Sequence, residues 1–252
     1  MNEVGLLVLA AGRGSRMRGL TEHNPKCLVE FRGRTLLDWQ VHAAKLAGIN
    51  DVHIVSGYLR EKLPAKFSQT FNDQWATTNS AFSLFLFEPT RWSSIVISYS
   101  DLIYPAEAIK RLIGSGPITV LFDANWFDLW SRRFDEISSD AESFRIDEAD
   151  RITEIGQRGH DTDRIQGQFM GLFHLDRQGW SDLREVFLSL GHVERRMIDM
   201  TSLLSRAISL GVIVEGVKYD RPWGEIDSPE DLILYRTDPA FIDLRTSLEF
   251  PR

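Results

Sequence analysis

Residues 4–28 read VGLLVLAAGRGSRMRGLTEHNPKCL, and the rest of the chain is organised around them. Residues 4–11 are a continuous apolar run with the length and composition of a strand buried on both faces. Gly12-Arg13-Gly14-Ser15-Arg16 then breaks the run, and small residues there let backbone N–H groups turn inward and approach a ligand closely. Arg13, Arg16, Arg18 and Lys26 add full positive charges to those amide dipoles. An apolar strand feeding a glycine-rich, arginine-bearing loop suits a polyphosphate. A P-loop is excluded, because no Gly-x-x-x-x-Gly-Lys-Ser/Thr run exists. A dinucleotide fingerprint fails too, since Met17 stands where a third small residue is needed. A plain glycine turn would account for Gly12 and Gly14 but not for the cations gathered round them.

The composition agrees with an enzyme-sized globular unit. With 252 residues, 43% hydrophobic and 26% charged, the chain is ample for one large domain with a substantial core. A net charge of −7 does not suit a nucleic-acid groove, so the cationic loop must act as a local patch. The lone cysteine, Cys27, leaves no internal disulfide and fits a reducing cytoplasm. No apolar run approaches membrane-spanning length, and Met1-Asn2-Glu3 does not open a signal peptide. The histidines are scattered without metal-ligand spacing, which argues against zinc.

Beyond the opening stretch, the patterns alternate between strand and helix. Thr35-x-x-Asp38 opens a helix that Gly48 ends, and residues 51–56 form a second strand, completing a βαβ unit with a parallel sheet. Residues 71–80 make a polar loop carrying Trp75, before a helix over residues 80–87 that Asn79 would cap. Residues 94–99 are a third apolar strand, ending in Ser100-Asp101 at the edge where open α/β sheets hold ligands. Asp101 reads either as a turn or cap residue or as a ligand for a cation. Pro105 opens a short helix and residues 117–122 form a fourth strand.

From Asp123 the composition changes. Residues 123–133 mix acids, aromatics and paired arginines, and residues 144–146 and 152–155 flank a polar turn as a hairpin. A strand over 167–175, helices around 180–190 and 197–210, a strand over 212–217 and a helix from Pro229 follow. The expected organisation is a single domain over residues 1–252. It divides into a nucleotide-binding part (1–122), an inserted hairpin and helical acceptor lobe (about 123–201), a segment with a second acid (202–237) and a tail (238–252).

These residues carry a resemblance. Leu9-Ala10-Ala11-Gly12-x-Gly14-x-Arg16, then Leu20-Thr21, then Pro25-Lys26-x-Leu28, is similar to the signature of nucleoside triphosphate transferases acting on sugar phosphates, phosphocholine and phosphonates. Asn72, Asp73, Trp75, Ala76, Asn79, Ser83 and Leu84 resemble the matching loop of cytidylyltransferases for phosphocholine and phosphonates. Further along, Ser139-Asp140-Ala141-Glu142, ITEIG, GQFMGL and IDMTSLL resemble the cytidylyltransferases of phosphonate metabolism.

The resemblance implies an α/β fold with a mainly parallel central sheet and flanking helices, like the nucleotide-diphospho-sugar transferases. It also implies transfer of CMP from CTP to a small phosphonate or phosphate with release of pyrophosphate. Arg16 and Lys26 would then be catalytic. Leu9, Ala10, Ala11, Gly12, Arg13, Gly14, Ser15, Asn79 and Ser100 would bind the nucleotide, and Asp101 and Asp227 would hold Mg²⁺.

The acceptor is read from residues 123–133. Asp123, Asp128, Trp126 and Trp130 could box a cation, whereas Arg132 and Arg133, with Arg158, His160, Arg195 and Arg196 further on, would fork onto an acidic group. The accumulation of arginines favours an acceptor like phosphonoformate or hydroxymethylphosphonate, and Asp123 keeps 2-aminoethylphosphonate open. The alternatives are a phosphocholine cytidylyltransferase, a sugar-1-phosphate nucleotidylyltransferase and a nucleotide-sensing protein without catalysis. Neither nucleic acid nor membrane is an expected partner, and a homodimer is left open.

Overall fold

The computed structural model describes residues 3–159 and 162–237, so His160 and the tail over 238–252 lie outside the described residues. Its strands, in chain order, are β1 (Val4–Ala10), β2 (Glu30–Phe31), β3 (Arg34–Thr35), β4 (Val52–Ser56), β5 (Ser68–Phe71), β6 (Ser94–Tyr99) and β7 (Leu102–Ile103). They continue with β8 (Ile118–Asp123), β9 (Phe144–Ile146), β10 (Ile152–Ile155), β11 (Gln168–Asp176), β12 (Glu215–Tyr219) and β13 (Gly224–Glu225). The helices are α1 (Leu36–Leu46), α2 (Ser80–Leu84), α3 (Ala106–Leu112), α4 (Trp126–Arg133), α5 (Arg177–Ser189), α6 (His192–Met197), α7 (Met200–Ser209) and α8 (Pro229–Thr237).

Seven strands make the central sheet in the order β12-β8-β11-β6-β1-β4-β5. Every pairing is parallel except those of β11, which runs antiparallel to both β6 and β8. The chain is therefore mixed α/β with a mostly parallel sheet, as its pattern predicts. Leu6, Leu7 and Val8 are fully buried, which explains the unbroken apolar spelling of β1. The parallel strands β1, β4, β5, β6, β8 and β12 end on one edge, and the reversed β11 begins there. Seven chain segments thus deliver loops to the same place, the ligand edge of an open α/β sheet.

Local chemistry explains the turns. The Thr35 hydroxyl accepts from the Asp38 amide at 3.0 Å, the cap expected for α1. Arg32 and Gly33 both have positive φ, 51° and 78°, as a two-residue hairpin turn between β2 and β3 requires. That turn aims Arg32 at the end of α8, where its guanidinium donates to the Tyr235 carbonyl at 2.9 Å.

Several expectations change in detail. Within residues 123–201, β11 is a central strand of the main sheet. The helix expected over 197–210 starts later, as α7 at Met200, since Asp199 is extended and caps it through the Ser202 amide at 2.8 Å, and the shorter α6 precedes it. The strand expected over 212–217 forms later, at 215–219. The edge strand β5 was hidden by its polar Ser-Gln-Thr spelling. Among the described residues no helix is long and apolar enough to cross a membrane.

Candidate active site

The glycine-rich loop after β1 is shaped by one glycine. Gly14 sits at φ 68°, and a Cβ there would lie 2.8 Å from Cδ of Lys26. Only glycine both tolerates that backbone and leaves room for the lysine stem to pass under the loop. Lys26 is consequently buried, 6% exposed, with its ammonium held up at the sheet edge.

Two carboxylates meet it there. Nζ of Lys26 lies 2.5 Å from Oδ2 of Asp101 and 2.5 Å from Oδ1 of Asp227. Asp101 follows β6, whereas Asp227 arrives from the far end of the chain. The short ribbon of β7 with β13 joins them, and the Ile226 amide donates to the Asp101 carbonyl at 2.9 Å. Arg16 also pairs with Asp227, yet its side chain remains 69% exposed and reaches into the cleft. Burial alone would pull the Lys26 ammonium down, but Asp101, Asp227 and Glu225 outweigh it and hold its pKa above the ordinary lysine value. Burial pushes the neighbouring Glu225 carboxyl up to about 7, opposed by Arg133 and reinforced by Asp101 and Asp227.

Oδ1 of Asp101 is buried with no hydrogen-bond partner. An orphaned carboxylate oxygen beside a second acid fits a hard divalent cation. No group of three or more His, Cys, Asp or Glu side chains among the described residues could hold a metal. A cation here would therefore rest on Asp101 and Asp227 and complete its shell with phosphate and water, as Mg²⁺ commonly does.

Around this cluster the cleft has two chambers. The first, about 360 Å³, is walled by Leu9, Ala11, Gly12, Gly14, Ser15, Arg16, Lys26, Ser100 and Asp101, with Trp75, Thr78 and Asn79 facing them. Of the nucleotide residues expected from the sequence, only Ala10 and Arg13 stand outside it. Ala10 is buried in the sheet, and the Arg13 guanidinium lies 5.6 Å from the Tyr58 ring centroid. Asn79 takes both roles open to it, since it lines the chamber and its side chain accepts from the Ser80 amide at 2.8 Å as the cap of α2.

The loop bearing Trp75 is stapled by Asn72, a residue whose role the sequence did not reveal. Fully buried Asn72 donates to Thr78 and Ser83 hydroxyls at 3.0 Å each and accepts from the Gln74 amide at 2.9 Å. Its full set of partners makes a buried amide tolerable and fixes the loop.

The second chamber, about 390 Å³, shares Arg16, Asn79, Tyr99, Glu225 and Asp227 with the first. Its far wall holds Asp140, Glu142, Asp199, Arg158, Trp130 and Trp223. It opens because β11 bulges against β8 between Phe169 and Phe173, at Gly171 with φ 72°. Burial and the nearby Asp199 push the Glu142 carboxyl above its ordinary value, against a hydrogen bond from Thr201 and the charge of Arg158.

The residues expected to bind the acceptor are mostly engaged elsewhere. Trp130 does line the second chamber, with its indole N–H on Asp140 at 3.1 Å. Asp123 accepts from the buried Trp223 indole at 2.9 Å, and the Trp126 indole donates to the Ile165 carbonyl at 3.3 Å. Arg132 pairs with Asp128 one turn away at 2.8 Å. Arg133 is 1% exposed and grips Asp231 at 3.0 Å and Glu225 at 2.9 Å, while Asp231 accepts from the Asp227 amide at 2.9 Å. Arg133 and Asp231 therefore brace the segment that carries Asp227. Cys27 is a buried, packed residue, its thiol pushed by burial up to about 12.

Known proteins are similar to this chain. The model of the MobA-like NTP transferase domain matches residues 6–122. A CTP:phosphoglutamine cytidylyltransferase of Campylobacter jejuni is 30% identical over 247 residues, covering 90% of this chain and 96% of the relative. A choline-phosphate cytidylyltransferase of Streptococcus pneumoniae is 37% identical over 103 residues, covering 39% of this chain and 45% of the relative. The solved inositol-1-phosphate CTP transferase from T. maritima superposes with a TM-score of 0.76 at 20% identity, covering 99% of this chain and 97% of that one, a likeness of fold.

Proposed function

This chain belongs to the nucleotidyltransferase family that carries the MobA-like NTP transferase domain, and from that premise we propose that it is a cytidylyltransferase for small phosphonates or phosphates bearing an ammonium group. It takes CTP and transfers CMP. An ionised acceptor oxygen attacks the α-phosphorus in line, the bond from that phosphorus to the bridging oxygen breaks, and pyrophosphate leaves with the electron pair. The nucleophile is already an anion at neutral pH, so no serine, cysteine or histidine is needed to activate it.

Positioning and charge neutralisation carry the rate. Arg16 and the amides of the Gly12–Ser15 turn hold the β- and γ-phosphates in the first chamber. Lys26 meets charge developing at the α-phosphate and the incoming oxyanion. Mg²⁺, when bound on Asp101 and Asp227, supplies further neutralisation of the phosphate oxygens. Cytidine lies along the wall of Trp75, Thr78 and Asn79.

The acceptor choice rests on a single observation: the far wall of the second chamber carries the acids Asp140, Glu142 and Asp199 against one arginine, Arg158. Such a wall attracts an ammonium and repels a second anionic group. The sequence preference for an acidic phosphonate leaned on the accumulation of Arg132, Arg133, Arg158, His160, Arg195 and Arg196. Of the described ones Arg158 alone lines the chamber, and Arg132 and Arg133 are committed to other side chains. 2-Aminoethylphosphonate and phosphocholine are the fitting acceptors. The relative named for choline-phosphate acts on a compound with a cationic nitrogen, which supports the choice. Pyrophosphate release across CTP, UTP, dTTP and GTP with each acceptor tests the reading. CTP with an ammonium acceptor should be turned over fastest, and release only with a sugar 1-phosphate would refute it.

A further inference from the structure

Arg196 stands in a run of arginines that its sequence context suggests for the acceptor, yet it does not line the acceptor chamber. Instead its guanidinium reaches the loop that walls the nucleotide chamber. One N–H group donates to the Gln74 side-chain oxygen and another to the Thr77 hydroxyl at 2.7 Å. The backbone completes the grip. The Asn79 amide donates to the Arg196 carbonyl at 2.8 Å, and the Asn79 side chain donates to the Met197 carbonyl at 3.2 Å.

Four hydrogen bonds thus tie the last turn of α6 to residues 74–79. Helix α6 has no buried residue, and Val193 and Met197 are 73% and 63% exposed, so it contributes little to the core. Its contacts are concentrated on the nucleotide wall. Asn79 in turn is held from two sides, capping α2 with its oxygen and touching α6 with its nitrogen.

We propose that Arg196 is a positioning residue for the nucleotide: through Gln74 and Thr77 it fixes the loop that presents Trp75, Thr78 and Asn79 to the bound base and ribose. The inference rests on the first chamber being the nucleotide site. It assigns Arg196 to the donor, not to the acceptor. Loosening the loop leaves Lys26, Asp101 and Asp227 in place, so nucleotide affinity falls while the chemical step is spared.

Calorimetric titration with CTP, combined with steady-state kinetics, tests this on wild type, Arg196→Ala, Arg196→Lys and Gln74→Ala. Arg196→Ala removes two hydrogen bonds from a charged donor and should weaken CTP binding about tenfold or more. Its KM for CTP should rise in step, with kcat at saturating CTP, KM for the acceptor and melting temperature unchanged. Arg196→Lys keeps the charge and should recover part of the affinity, and Gln74→Ala should lose less than Arg196→Ala. CTP binding by Arg196→Ala as tight as wild type would overturn the inference. So would a fall in melting temperature with KM for CTP unmoved, which would make Arg196 merely structural. Failure of the wild type itself to bind CTP would refute the nucleotide chamber, and the role of Arg196 with it.

Discussion

Lys26 and Asp227 stand 201 positions apart in the chain, and a 2.5 Å contact joins Nζ of one to Oδ1 of the other. Asp101 completes the cluster, its Oδ2 also 2.5 Å from the ammonium. A buried cation between two acids is held in register by both of them, and each acid is held by the cation. Removal of the lysine leaves two carboxylates facing each other in a site shielded from water.

Lys26→Met should therefore act on stability and on chemistry together. Breaking a buried ion pair from one side costs about 3–5 kcal/mol, and loss of a major electrostatic stabiliser lowers kcat by about two orders of magnitude. Arg16→Ala, at a mostly exposed side chain, should instead raise KM for CTP and leave stability alone. Steady-state kinetics with thermal melts separates the two, and a Lys26→Met enzyme with normal kcat and raised KM would reverse the assignment.

Asp101→Asn preserves shape and removes charge at the oxygen that has no protein partner. Turnover should fall at least about a hundredfold, with the midpoint for Mg²⁺ activation moved to higher concentration. EDTA should silence the wild type and added Mg²⁺ restore it. Full activity in EDTA would remove the cation from the account.

Arg132 and Arg133 are adjacent in sequence and opposite in consequence. Arg133→Met abandons Glu225 and Asp231 in the interior, and the melting temperature should drop by roughly 10 °C. Arg132→Met loses one helical pair at the surface, worth no more than about 0.5 kcal/mol. Equal melts for the two variants would contradict the buried brace.

The acceptor chamber should report through pH. Burial raises the Glu142 carboxyl, and only its ionised form attracts an ammonium. As pH falls through that raised value the attraction is lost, so KM for an ammonium acceptor climbs at a higher pH than an ordinary glutamate would give. Glu142→Gln should show a high KM throughout and no such limb. An unchanged pH profile in this variant would take Glu142 out of acceptor binding.

Much of this site was legible because it depends on short-range signals. The apolar run into Gly12-Arg13-Gly14 specifies both the strand and the tight glycine loop that ends it, and Asp101 lies two residues past a strand whose end falls at the open edge of the sheet. The place of β11 was not legible, because an apolar strand reads the same in either direction and its reversal is decided by neighbours far away in sequence. Arg133 was misleading for a related reason. Its partners Glu225 and Asp231 lie more than 90 positions ahead, and nothing local distinguishes a buried arginine from a solvated one. Asn72 is buried and Asn79 exposed, a difference that the polar spelling of their loop conceals.

The most direct test is the ratio of kcat/KM for 2-aminoethylphosphonate to that for phosphonoformate, each offered with CTP and Mg²⁺ and followed by pyrophosphate release. A chamber walled by Asp140, Glu142 and Asp199 should favour the ammonium acceptor by about a hundredfold or more, as a charge reversal beside carboxylates demands. Faster transfer to phosphonoformate than to 2-aminoethylphosphonate and phosphocholine would contradict the account.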